Sequence, residues 1–141
     1  FNQDGYIDIY LSNDFSTPDR FFINKGDGTF ENHIEESFTH TSFYGMGVDA
    51  ADFNQDGKLD IFQLDMSPVD NYRSKANMAS MDIQAFRNNV DLGFHYQYMY
   101  NSLQTYQGTK DGIPFYSNLN ASVIFVRFYI FHCRSIGRFK N

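Results

Sequence analysis

The run Asp52-Phe53-Asn54-Gln55-Asp56-Gly57-Lys58-Leu59-Asp60 carries oxygen-bearing side chains at its positions 1, 3, 5 and 9, with glycine at position 6. That spacing suits Ca2+, a hard cation that takes six to eight oxygens at about 2.3–2.6 Å. Asp52, Asn54 and Asp56 would offer side-chain oxygens, Lys58 its backbone carbonyl and Asp60 a carboxylate. Gly57 relieves the steric limit on φ where the chain must turn sharply. Mg2+ fits less well, because it demands a tighter octahedron and keeps its waters. Transition metals are disfavoured, since neither His nor Cys joins the cluster. Asp, Asn and Gly also build ordinary solvated turns, and that plainer role is expected for Asp27-Gly28 and Asp111-Gly112.

What separates residues 52–60 from an ordinary turn is recurrence. Phe1-Asn2-Gln3-Asp4-Gly5 returns unchanged as Phe53-Asn54-Gln55-Asp56-Gly57, an offset of 52 residues, and seven of ten aligned positions through Tyr10 and Phe62 are identical. The first copy offers Asn2, Asp4, the Tyr6 carbonyl and Asp8. It begins one residue after the place of the leading Asp, so weak calcium binding or none is expected there. An EF-hand would need a bidentate Glu at position 12 and flanking helices. Position 12 is Gln63, or Leu11 in the first copy, and both flanks read as strands. A dockerin-like pair of loops fails on the same grounds, and its repeat would be much shorter.

The elements around each loop have a period of two. Tyr6, Asp8 and Tyr10 alternate with Ile7, Ile9 and Leu11; Leu59, Ile61 and Gln63 alternate with Asp60, Phe62 and Leu64. Such runs predict strands. Residues 20–24 predict another, with Lys25-Gly26-Asp27-Gly28 as a hairpin turn and residues 29–31 returning. Residues 44–51 predict a strand leading into the second loop. A weaker hairpin follows at 103–108, Asp111-Gly112 and Phe115-Tyr116. Alternation stops at residues 68–91. There Met78, Met81, Phe86 and Val90 approach helical spacing and Ser80 could cap, which predicts a short helix at 81–90 whose methionines pack on the sheet.

The whole chain has 141 residues, a net charge of −6 and 16 Phe and 10 Tyr without Trp. Its acidity argues against nucleic-acid or anionic-membrane partners, which select basic faces. Residues 1–117 hold all 17 acids, whereas residues 118–141 hold none and four bases: Arg127, Arg134, Arg138 and Lys140. Residues 118–141 are therefore expected to be an atypical basic tail, either a divergent terminus or an artefact such as a frameshift. Its apolar run at 121–131 is shorter than the roughly 20 residues of a membrane span. The Asn120-Ala121-Ser122 sequon decides nothing there. Phe1 is not a methionine and no signal peptide precedes the first motif, so the chain is expected to be an excerpt. Cys133, the single cysteine, does not identify a redox compartment.

The loop pattern Asp-x-Asn-x-Asp-Gly-x-x-Asp between strands, with Asn24-Lys25-Gly26-Asp27-Gly28-Thr29-Phe30 behind the first copy, resembles FG-GAP/VCBS repeats. Gly45-Met46-Gly47-Val48-Asp49-Ala50-Ala51-Asp52, with Asp70-Asn71-Tyr72-Arg73 and Tyr96-Gln97-Tyr98-Met99, is similar to the ASPIC/UnbV, cartilage acidic protein-like branch. The resemblance covers residues 1–117. It implies an all-β fold: an incomplete β-propeller of about two blades, with a helical insertion at about 68–93. It also implies a secreted or cell-surface, non-catalytic module, in which Asp52, Asn54, Asp56, Lys58 and Asp60 hold calcium and stiffen the loops. The expected role is adhesion or recognition of a protein or glycan, with neighbouring blades as further partners and no membrane span. Two blades cannot close a ring, so marginal stability and exposed, association-prone edges are expected.

An enzyme is the alternative, as a fragment of a propeller-type polysaccharide-degrading protein. Gly-x-Ser-x-Gly, His-Glu-x-x-His and Cys-x-x-Cys are all missing. His33, His40, His95 and His132 lack ligand spacing and read as surface or packing residues. Asp14, Asp65 and Asp70 could pair as acid and base, yet turn or loop roles suit them better. Two carboxylates facing each other in a pocket away from the loops would favour the enzyme. Phe43, Tyr44 or Tyr72 could serve a carbohydrate module as stacking platforms.

Overall fold

The computed structural model describes residues 1–15, 17–66 and 83–120. Arg20-Phe21-Phe22-Ile23-Asn24 turns Phe21 and Ile23 to one side and Phe22 to the other, and this strand (β2, Arg20–Asn24) lies between β1 (Ile9–Leu11) and β3 (Phe30–Asn32) in an antiparallel sheet. The β2–β3 turn closes through the Lys25 N–H donating to the Thr29 carbonyl at 3.0 Å, with Gly26 and Gly28 at positive φ. A four-residue helix, α1 (Ile34–Ser37), and a parallel-paired strand, β4 (Thr41–Ser42), follow.

The second sheet has the order β5-β6-β8-β9, all antiparallel neighbours. Its strands are β5 (Gly45–Ala51), β6 (Asp60–Asp65), β8 (Ser102–Lys110) and β9 (Ile113–Asn120). The turn from β8 to β9 is Asp111-Gly112, both at positive φ, the left-handed conformation such two-residue hairpins need. Between β6 and β8 lie α2 (Ile83–Asp91) and β7 (Gln97–Tyr98), which pairs with β4. Gly93 ends α2, donating its N–H to the Val90 carbonyl at φ +81°, a helix stop that needs no Cβ.

The core lies between the two sheets. Phe21, Ile23, Ile34, Phe38, Ile61 and Tyr116 form one buried cluster. Phe38 stacks on Tyr116 at 4.8 Å and meets Phe21 edge-on at 5.3 Å. Fully burying one such ring contributes about 1.5–3 kcal/mol. Leu103 is also buried but lies outside this cluster, because its register partner is Phe62 rather than Ile61.

The architecture is all-β with short helices. It forms two sheets of an incomplete, propeller-like stack, and no barrel closes among the described residues. The insertion helix occurs as Ile83–Asp91, while Met78, Ser80 and Met81 lie outside the described residues. Strand β1 is shorter than the alternation suggested, since Tyr6 is tied into the loop before it: its N–H donates to Asp4 at 2.8 Å. α1 and the β4–β7 pair were not anticipated. They are too short to show a period. β9 reaches Asn120, three residues beyond the expected limit of the repeat region, and residues 121–141 lie outside the described residues.

Candidate metal loops and the joint between the sheets

The two loops repeat each other bond for bond. Asn2 Nδ2 donates to Asp4 Oδ2 at 2.8 Å, and Asn54 Nδ2 donates to Asp56 Oδ2 at 2.8 Å. The Asp4 N–H reaches Asn2 Oδ1 at 3.2 Å, and the Asp56 N–H reaches Asn54 Oδ1 at 3.0 Å. Tyr6 N–H donates to Asp4 and Lys58 N–H to Asp56, both at 2.8 Å. Gln3 and Gln55 take φ values of 64° and 65°, and Gly5 and Gly57 follow at 91° and 81°. An identical pentapeptide has folded identically in two settings, so its conformation is encoded locally.

At the end of each loop a carboxylate ties it to the sheet. Asp8 accepts from the Phe1 amino group at 2.7 Å and from the Asn24 N–H at 2.9 Å. Asp60 accepts from the Phe53 N–H at 3.2 Å and the Tyr106 N–H at 2.8 Å. The second loop adds Asp52, whose oxygens accept from the Asp56 and Gly57 N–H groups at 3.0 and 2.9 Å. Asp60 is fully buried. Burial pushes its carboxyl above the usual range against those two N–H donors, and the charges of Asp56 and Asp52 push the same way. Exposed Asp4 goes the other way, held low by the Tyr6 N–H and then by Asn2.

Three acids, one amide and a backbone carbonyl thus share the second loop, and every candidate donor there is oxygen. That chemistry fits a hard cation such as Ca2+ and not a thiolate- or imidazole-seeking metal. Each carboxylate oxygen has lone-pair capacity beyond one N–H bond. Among the described residues no group of three or more His, Cys, Asp or Glu side chains is gathered as for a metal ion; the loop carboxylates face the N–H groups of the loop and its flanking strands. Lys58 sends its side chain away, to Gln3 and over the Tyr106 ring at 5.7 Å.

The loops also touch each other, Gln3 Nε2 donating to the Gly57 carbonyl at 3.0 Å. Beneath them the sheets are joined by a polar group that sequence reasoning missed. Asp19, fully buried, accepts from the Tyr10 hydroxyl at 2.7 Å and from the Asn13 N–H and Gln63 Nε2, each at 2.8 Å. Gln63 Nε2 also donates to Ser12 Oγ at 2.8 Å. Burial raises the Asp19 carboxyl above its ordinary range, the three donors opposing it. Burial and the Asp19 charge push the Tyr10 hydroxyl well up. Nothing in the spacing of these residues marks them as neighbours.

Of the acids weighed for catalysis, Asp14 and Asp65 lie in different settings. Asp14 is exposed, while Asp65 is buried and accepts from Ser42, Phe43 and Tyr44; Asp70 lies outside the described residues, as does Tyr72. A cleft of about 590 Å³ lies among Glu35, Ser37, Phe38, His95, Tyr96 and Tyr116. Its carboxylates, Glu35 and Glu36, are adjacent on α1 and so point apart rather than facing each other. Tyr44 packs edge-on against Phe15 and Phe43 and is half-buried rather than a free platform. No helix among the described residues is long and apolar enough to cross a membrane.

Comparison with known proteins matches residues 1–62 to the family model of the FG-GAP-like repeat. Cartilage acidic protein 1 of Xenopus tropicalis is 42% identical over 59 residues, a stretch that makes up 38% of this chain and 8% of that protein. The chain therefore corresponds to under a tenth of the length of this curated relative. No solved structure matches.

Proposed function

We propose, on the premise that this is an FG-GAP repeat protein over residues 1–62, that the chain is a non-catalytic, calcium-binding repeat module of an extracellular or cell-surface propeller-type scaffold. The observation that carries the reading is the bond-for-bond duplication of an all-oxygen loop at the same corner of two sheets. Asp52, Asn54, Asp56, the Lys58 carbonyl and Asp60 would hold the ion. Bound calcium would supply positive charge that offsets the three carboxylates of the loop and would draw them together. The protein's own part is to present those oxygens: Gly57 makes the turn, and the Phe53 and Tyr106 N–H groups hold Asp60 in place. The first loop, with Asn2, Asp4, Tyr6 and Asp8, has one carboxylate fewer and would bind more weakly. The stiffened module would display a surface for a protein or glycan partner, told apart by whether free glycan competes for binding.

Calorimetric titration with CaCl2 tests this. One binding event is expected, with a rise in thermal midpoint that chelator reverses; at 100 times the dissociation constant, linkage predicts about 2.7 kcal/mol of added stability. Asp52→Asn with Asp56→Asn keeps acceptors for the loop N–H groups while removing two charges, and should abolish the heat of binding without unfolding the chelated protein. A native chain with neither calcium heat nor a calcium-dependent midpoint would overturn the assignment.

A further inference from the structure

The cleft beside α1 gathers polar atoms that the chain leaves without partners. Ser37 and Tyr116 are 1% and 4% exposed. Neither Ser37 Oγ nor the Tyr116 hydroxyl has a hydrogen-bond partner among the described residues. His95 Nε2, also buried, lacks one as well. All three residues line the same cleft. Buried polar groups are normally paired, so three unpaired atoms around one space mark where a bound group would supply the missing partners.

The rim adds aromatic rings and negative charge. Phe94, Tyr96 and Phe115 line the cleft and are 42%, 47% and 40% exposed. Phe115 is held against the β8–β9 hairpin, where a Cβ on Gly108 would lie 2.9 Å from its ring. Glu35 and Glu36 are exposed and turn to different sides of α1. Glu36 comes within 3.8 Å of His33, whereas the charge of Glu35 acts on His95. None of the described lining residues is Lys or Arg. Burial lowers the His95 pKa, so its imidazole is uncharged near neutral pH.

This set of groups selects among ligands. An anion would meet carboxylates without a counter-charge. A neutral sugar would satisfy the hydroxyls and leave the Glu35 charge unanswered. A guanidinium is planar, stacks on aromatic rings and is attracted to their faces. It also carries five N–H donors and no acceptor, which suits hydroxyl oxygens, an imidazole nitrogen and a carboxylate. An ammonium is a compact, strongly hydrated point charge and uses such rings less well.

We propose that the cleft binds an arginine side chain of a partner protein, with Glu35 pairing the guanidinium and Phe94, Tyr96 and Phe115 flanking it. This rests on the protein-recognition reading above, names its chemistry and does not depend on the metal. In the free chain the unpaired atoms are closed to water, so the wall gives slightly on binding; side-chain rotamer changes of that kind are common at interfaces. The cleft, about 590 Å³, also has room for backbone flanking the arginine.

Titration of N-acetylarginine N-methylamide into the isotope-labelled full chain, followed by amide chemical shifts with calcium present, tests this. Saturable shifts are expected at residues 35–39, 93–96 and 115–116. The lysine counterpart should bind more weakly, and N-acetylnorleucine N-methylamide and glucose should shift nothing there. Glu35→Gln should weaken arginine binding by about fivefold, and Tyr96→Leu by about threefold. Glu36→Gln, on the His33 side, should weaken it much less. The unshifted remainder of each spectrum certifies the fold, and should one of the first two variants fail to fold, the other carries the test. Absence of saturable shifts, or shifts centred on the acidic loops, would overturn the proposal. So would equal binding of the norleucine probe, preference for glucose, or native affinity in Glu35→Gln. Calcium calorimetry on the same samples separates the two readings: a chain that binds calcium and not arginine refutes the cleft alone, and one that binds arginine and not calcium refutes the metal assignment alone.

Discussion

His40 sits half-buried, its Nε2 meeting the Tyr100 hydroxyl and Asn118 Nδ2 and its Nδ1 meeting the Thr39 hydroxyl. Burial, and then the charge of His95, lower its pKa; burial also lowers that of His95, with Glu35 opposing. A histidine lowered in the folded state contributes stability that is complete above the unfolded value near 6.5 and is lost as pH falls through the folded value. Urea unfolding from about pH 8 to about pH 5 should show stability declining on the acid side, by at most about 1.4 kcal/mol per pH unit for each proton. His40→Gln should flatten that slope, and adding His95→Gln should flatten it further. The sequence reading took these histidines as surface or packing residues, and residue type alone could say no more. Thr39 is adjacent, but Tyr100 and Asn118 come from the far side of the insertion. The residues of the two acidic loops were legible for the opposite reason: the hydrogen bonds inside each loop span two to seven residues, so spacing reveals them.

Among the elements, strands with five or more residues and alternating faces were readable, as β2 and β6 show. The Asp-Gly hairpins were readable too, because positive φ restricts residue choice. Strand β4 and its partner β7 were not. A two-residue parallel pair exists only because tertiary packing brings its halves together. The start of β5 shows how close that packing is. Gly45 donates its N–H to the Asn13 carbonyl at 3.2 Å. A Cβ there would lie 2.3 Å from Ser12 Oγ, 2.7 Å from Gln63 Nε2 and 2.8 Å from the Asn13 carbonyl oxygen. Gly45→Ala should therefore cost about 1–3 kcal/mol, read as a lower urea midpoint. Gly47→Ala, with nothing within 4 Å of its Cβ, is the control and should change the midpoint little.

Across the molecule, the two sheets are held by an aromatic cluster and by one buried carboxylate. Asp19→Ala would strand the Tyr10 hydroxyl, the Asn13 N–H and the Gln63 amide in the joint. Leaving buried donors unpaired costs about 1–3 kcal/mol, and loss of that order is expected in chemical denaturation. Removing the Tyr10 hydroxyl as well should cost less than the two single losses combined, because Tyr10→Phe leaves one fewer stranded donor. The stacking of sheets was legible in the repeat itself, whereas the polar centre between them was not, since its members come from β1, the connection from β1 to β2, and β6, with no common period.

The connection between β6 and β7 is fastened at both ends by bonds to residues outside it. Asp65, at the exit, accepts from Ser42, Phe43 and Tyr44, and its own N–H donates to Asn101. At the return, the Gln97 amide donates to the carbonyls of Phe15, Thr17 and Ser42. β6 and β7 are thus each anchored to strands and loops beside them. The two anchors form a socket: a graft of another length or sequence, entering after β6 and leaving before β7, should leave these bonds in place.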